Sequence, residues 1–155
     1  MNDAAIDALR TVADYQFGGG VGDALFPAGG AFDVSRSKSG RPRQVHADGD
    51  RLVSVTTDGR FTLGLEGGRR LAAARDPPGG RVVVGDESAP FVSEGKNVFA
   101  KFVDVVDPDV RAGDEVAVVH EDGDVLAVGR AELDADAIRD FETGMAVMVR
   151  EGVEE

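Results

Sequence analysis

Apolar positions along this chain switch between two periods. From Asp3 to Phe17, the residues Ile6, Leu9, Ala13 and Phe17 recur three and four apart, which predicts an amphipathic helix. Asn2 or Asp3 is placed to cap it, and Gly18-Gly19-Gly20 to end it. Glycine continues to Gly22, but the run follows a helix and no Gly-Lys-Ser/Thr closes it. A flexible connection is therefore predicted in preference to a phosphate-cradling loop. After Leu25-Phe26-Pro27 the period shortens to two. Strands are predicted over Phe32–Ser37, Arg41–Ala47, Arg51–Thr57 and Arg60–Leu63, parted by Ser39-Gly40, Asp48-Gly49 and Asp58-Gly59, where glycine tolerates positive φ. Leu65–Leu71 reads as a short helix that lays Leu65 and Leu71 on that sheet. Arg75-Asp76-Pro77-Pro78-Gly79-Gly80 has linker composition, so a domain over residues 1–76 and a second over 80–152 are expected.

The second half opens with a strand at Arg81–Val84 and a helical turn near Ser88–Ser93. Glu94 to Val103 then reads as a turn feeding directly into a strand. Alternation along that strand puts Lys101 on one face with Phe99 and Val103, and Val98, Ala100 and Phe102 on the other. The binding reading is a rim carrying a cation beside an aromatic ring; the plain reading is a core strand with solvated lysines. A turn over Asp107–Asp114 leads to a strand at Glu115–His120, and Asp122-Gly123 turns it into Val125–Ala131. Asp134 can cap a helix carrying Ile138 and Phe141, stopped at Gly144, before a last strand at Met145–Arg150. The fold class expected is α+β: a small α/β domain, then a compact β-rich barrel closed by its terminal strands.

Composition narrows the chemistry. Across 155 residues there is no cysteine, which excludes disulfides and thiolate metal sites, and His46 and His120 stand alone. The N-terminus is acidic without an apolar core, and no apolar run approaches bilayer length, so a cytoplasmic protein without a membrane partner is expected. Acids outnumber bases 29 to 17, with aspartate favoured over glutamate and arginine over lysine. That bias is the signature of a salt-loving organism's cytoplasm. In molar salt the Debye length falls to roughly 3 Å, so net repulsion from a polyanion is largely screened.

The charge is unevenly placed. Residues 1–80 are balanced, whereas residues 81–155 hold seven bases against 19 acids. Arg36, Lys38, Arg41 and Arg43 lie between Asp33 and Asp48 without an acid among them and straddle one predicted hairpin tip. A solvated loop and a phosphate-facing loop are both open readings, since arginine forks match phosphate geometry.

The order of the later elements resembles a known family. Phe91 to Phe99, Arg111 to Val119 with Gly113-Asp114, Leu126 to Ala131 with Ala127-Val128-Gly129, and Gly144 to Val147 together resemble a PUA domain over roughly residues 80–151. Gly95-Lys96-Asn97-Val98-Phe99-Ala100-Lys101 is most similar to the version in archaeal archaeosine tRNA-guanine transglycosylases. Upstream, Leu9 to Gly18, Gly59 to Leu63 and Glu66 to Leu71 resemble the small domain that precedes PUA there. The resemblance implies binding of structured RNA in a groove between the first helix and the following strand. Gly95, Lys96, Asn97, Val98, Phe99 and Lys101 would line it, and Arg150 would face the same side.

The resembled catalytic barrel needs acidic residues and a cysteine-rich zinc site, and a chain without cysteine has no such site. No nucleophile elbow or Walker loop is visible either. Two functions follow as expectations. One is a non-catalytic RNA-binding module that holds the stem and single-stranded end of tRNA, needs no cofactor, and acts alone or with a catalytic tRNA-modification subunit in trans. The other is a protein-interaction or ribosome-associated module whose groove does not grip RNA.

Overall fold

The structure is a computed structural model that describes residues 3–141 and 143–154. The helix cap expected at Asn2 or Asp3 lies outside the described residues and side chains. The chain divides into two compact units, residues 1–74 and 75–155. Each has its own buried centre.

In the first unit, helix α1 (Asp3–Phe17) buries Ile6, Leu9, Ala13 and Phe17, the stripe its spacing predicts. The glycine run after it is not a flexible connection. Gly18 and Gly20 adopt φ of +115° and +91°, and a second helix, α2 (Val21–Leu25), starts at once. A Cβ on Gly22 would stand 2.3 Å from the Arg10 carbonyl oxygen, so glycine is what lets α2 close on α1. The Gly22 amide also donates to Asp14 Oδ1 at 2.7 Å. Strands β1 (Asp33–Arg36), β2 (Pro42–Ala47), β3 (Asp50–Val55) and β4 (Phe61–Leu63) form an antiparallel meander. Helix α3 (Leu65–Ala74) is one turn longer than its sequence suggests and packs on β3, with Gly67 against the Leu52 carbonyl.

The second unit is a curled sheet in the order β6-β10-β9-β8-β5-β7. Its members are β5 (Arg81–Val84), β6 (Val98–Phe99), β7 (Val103–Val106), β8 (Glu115–His120), β9 (Val125–Ala131) and β10 (Met145–Gly152). Helices α4 (Ala89–Ser93) and α5 (Ala135–Asp140) complete it, and Asp134 caps α5 by accepting the Ala137 amide at 2.8 Å. A valine-rich core fills the curl, including Val82, Val84, Val98, Val116, Val118 and Val147.

One feature of the order forces closure. β6 and β7 are separated only by a 3-10 turn at Ala100–Phe102, yet they sit at opposite edges of the sheet. Laid flat, the five inter-strand steps would part those edges by about 24 Å, whereas four residues of chain span at most about 14 Å. The sheet must therefore roll until its edges meet. The expected α+β class with a barrel-like second domain is observed, but its seam differs from the expected one. The terminal strand β10 lies inside the sheet, between β6 and β9, and the 3-10 turn closes the barrel.

That turn also breaks the continuous strand expected through Phe99-Ala100-Lys101-Phe102-Val103. The corner needed to pass from one edge to the other interrupts the two-residue alternation. Among the described residues no helix is long and apolar enough to cross a membrane.

Candidate nucleic-acid interface

The end of α4 builds the groove. Gly95 takes φ of +100°, the left-handed conformation glycine reaches without a Cβ penalty. Its amide bonds to the Val92 carbonyl at 2.9 Å, and the Lys96 amide to the Phe91 carbonyl at 3.0 Å, the paired closure of a helix ended by such a glycine. The chain leaves this cap pointing into β6. Asn97 Oδ1 accepts the Val149 amide at 2.9 Å, which pins the start of β6 to β10. Val98 is fully buried beneath, and the next residue, Phe99, is 47% exposed.

Between α4 and β6 lies a hollow of about 330 Å³. Phe91, Phe99 and Phe102 wall it, Val92 and Val98 form its floor, and Lys96 and Glu87 stand at its lip. Phe91 is 60% exposed, so two aromatic faces are left open to solvent in a mainly apolar slot. Such a slot suits a planar base, and each base stacked on an aromatic ring contributes on the order of 1–3 kcal/mol. The Lys96 ammonium makes no ion pair with any described residue and is placed to meet a phosphate.

Not every residue expected in this groove is there. Lys96, Asn97, Val98 and Phe99 line the slot, Val98 as its buried floor and Asn97 while also bonding to β10, and Gly95 shapes the turn beside it. Lys101 faces a second hollow instead, with its Nζ 5.0 Å from the centre of the Phe102 ring. The 3-10 corner carries it over the ridge that Phe102 walls from the other side. Arg150 is held by the Glu115 carboxylate, with one contact at 3.1 Å and a shorter one between Arg150 Nη2 and Glu115 Oε1. It lines neither hollow.

Conversely, Phe91 and Phe102 were not singled out from the sequence. The legible signal for Phe91 was an aromatic on a five-residue helix just before a capping glycine, where too few positions exist to bury it.

In the first unit the four basic residues do straddle the β1–β2 hairpin tip, and all four are exposed. Arg36 Nη1 donates to the Gly40 carbonyl at 2.8 Å and Arg41 Nη1 to that of Thr57 at 3.0 Å, so those two brace the tip. Lys38 and Arg43 make no ion pair or side-chain hydrogen bond with any described residue. They are the cations able to reach out.

Comparison with known proteins agrees with this division. Residues 7–78 match the family described as the patch-forming domain C2 of tRNA-guanine transglycosylase, and residues 80–153 match the PUA domain. The chain is 45% identical over 152 residues to a tRNA-guanine(15) transglycosylase of Pyrococcus furiosus, and 44% identical over 146 residues to that of Methanobrevibacter smithii. These alignments cover 97% and 94% of this chain but 25% and 22% of the relatives, whose C-terminal part it matches. The chain thus spans about a quarter of the length of those curated relatives.

Among solved structures, a hypothetical protein of Pyrococcus horikoshii superimposes with a TM-score of 0.77 at 19% identity, covering 100% of this chain and 93% of that one. A conserved PUA domain protein of Thermoplasma acidophilum gives 0.67 at 21% identity, covering 99% of this chain and 91% of that one. These two show the fold alone. Residues 7–78 and 80–153 therefore belong to the C2 patch-forming and PUA domain families, joined in the order found at the C-terminal end of archaeal tRNA-guanine(15) transglycosylases.

Proposed function

We propose that this chain is a non-catalytic RNA-binding module that grips tRNA in the α4–β6 groove and serves RNA modification as an accessory or targeting part. The observation that carries this reading is the slot itself, with two open phenylalanine faces and an unpaired lysine on the segment that matches PUA. The relatives act on tRNA by name, and the chain matches their C-terminal quarter, which supports a role in holding tRNA.

A single-stranded end can lay its bases on Phe91 and Phe99 while the adjoining stem is met by shape and 2′-hydroxyls, since the deep groove of an RNA duplex cannot be read by side chains. The acidic composition fits a halophilic cytoplasm, where counterion release drives little binding and stacking carries more of the affinity. Lys38 and Arg43 on the hairpin of the first unit would add phosphate contacts that position the RNA without reading it.

The test is binding of folded tRNA, intact or trimmed of its single-stranded 3′ end, in molar potassium chloride. The intact tRNA is expected to bind and the trimmed one to lose most of its affinity. Absence of binding to either would overturn the reading in favour of a protein-interaction module.

A further inference from the structure

On the far side of the Ala100–Phe102 ridge lies the larger hollow, about 840 Å³, between β7 and α5. Lys101 and Arg139 line it, together with Val105, Asp104 and Phe141. We propose that this hollow is a second RNA-contacting surface, taking the phosphate backbone of the strand that leaves the α4–β6 groove. The inference rests on reading that groove as an RNA site.

Charge placement carries it. With seven bases against 19 acids in residues 81–155, a polyanion can lie only where cations are free to meet it. Three of the seven are committed. Arg81 is buried against the Gly79 carbonyl, Arg130 is held by Glu132 at 3.0 Å, and Arg150 by Glu115. Arg111 borders a recess shared with Asp109, Asp134 and Asp136.

Lys96 and Lys101 remain, with no ion pair to any described residue, one on each side of the same ridge. Arg139 adds a third cation. Its contact with Asp136 is an exposed 3.6 Å pair within α5, of a kind that contributes little and can be exchanged for a phosphate. Phe141, half-exposed beyond the end of α5, offers one more ring at the margin. Lys96, the ridge, Lys101 and Arg139 thus make a continuous path across an otherwise acidic unit.

Asp104 is an acid that lines the second hollow beside Lys101. Its carboxylate lies 3.2 Å from where a Cβ on Gly85 would stand, close enough to Glu121 to raise that residue's pKa, so negative charge borders the hollow on the β7 side. Phosphate at Lys101 would feel it as repulsion. Removing that charge should therefore strengthen binding, an effect that no loss of packing would produce.

The experiment is the affinity of the full chain for folded tRNA across a potassium chloride series. Lys101→Gln with Arg139→Gln is expected to weaken binding on the order of tenfold at the low-salt end. It should also flatten the slope of log affinity against log salt by about 1.4–1.8, the contribution of two phosphate contacts. Asp104→Asn is expected to tighten binding, and Lys101→Arg with Arg139→Lys to preserve it. Both cations are exposed, and matched unfolding curves confirm that each variant folds.

If Phe99→Ala weakens binding while the double glutamine variant keeps wild-type affinity and slope, the second surface is overturned and the groove stands. If the wild-type chain binds no tRNA, both readings fall together.

Discussion

Gly152 backs directly onto Gly95: a Cβ added to Gly152 would lie 2.7 Å from the Gly95 amide nitrogen and 2.3 Å from the Ser93 carbonyl oxygen. The last strand thus presses on the helix cap that aims Lys96 and Phe99 into the groove, and Glu154 adds a bond from its amide to the Ser93 carbonyl at 2.8 Å. Gly152→Ala is expected to destabilise the second unit by about 1–3 kcal/mol, as overpacking does, and to weaken tRNA binding by displacing the cap. Gly95→Ala has open space around it and pays only for its positive φ, so a loss of about 1–2 kcal/mol is expected. Urea unfolding with tRNA titration checks both; wild-type stability in Gly152→Ala would contradict the close approach.

The linker by composition is a working part of the second unit. Arg81, largely buried, donates to the Arg75 and Gly79 carbonyls at 3.2 and 2.9 Å. Asp107 accepts the Gly80 amide at 2.7 Å and lies 3.6 Å from Arg75 Nη1. We expect a fragment of residues 75–155 to fold alone in molar salt, and one of residues 80–155 to be less stable because Arg81 loses the Arg75 and Gly79 acceptors, each unmade bond costing about 1–3 kcal/mol. Equal urea midpoints for the two fragments would refute this.

A pH-dependent term sits on the β8–β9 hairpin. His120 Nε2 meets Asp86 at 2.5 Å and Nδ1 meets Asp122 at 3.0 Å. The hydrogen bond to Asp86 first, then that to Asp122, pushes the imidazole pKa above its usual value of 6.5. A raised folded-state pKa means the protonated form is favoured by folding. Its contribution is complete below pH 6.5 and is lost as pH rises through the higher folded value. The stability advantage of wild type over His120→Gln is therefore expected to be largest near pH 5.5 and to shrink toward pH 9. An advantage that is flat or grows with pH would contradict the pairing.

Much of this architecture was legible because local chemistry and tertiary role agree. Ile6, Leu9, Ala13 and Phe17 bury as their spacing requires, and Asp134 caps α5 as its position before Ala135 suggests. What was not legible depends on closure of the barrel. Nothing in Val98-Phe99-Ala100-Lys101-Phe102-Val103 announces a corner, since valine and phenylalanine favour a strand and no glycine or proline interrupts the run. The corner exists because β6 and β7 must reach opposite sheet edges. Lys101 consequently lies outside the groove in which the resemblance placed it, and does not share a face with Phe99 as strand alternation would require. The glycines at 18–22 misled for a related reason: Gly22 is small for packing against Arg10, not for flexibility.

The two candidate RNA surfaces should differ in salt response. Lys38→Gln with Arg43→Gln removes the outward cations of the hairpin while Arg36 and Arg41 still brace its tip. Binding is expected to weaken at low salt and to match wild type in molar salt, where phosphate contacts fade. A loss that persists undiminished in molar salt would show that the hairpin does more than position phosphates.

The central claim is that open aromatic faces in the α4–β6 slot hold the RNA. Its most direct measurement is the affinity of Phe91→Ala with Phe99→Ala for folded tRNA at low and at molar salt, beside an unfolding curve. Both rings are about half exposed or more, so the fold is expected to survive. The account expects affinity to fall by on the order of tenfold or more at both salt concentrations, given about 1–3 kcal/mol for each stacked base. Wild-type affinity in a folded double variant would contradict it.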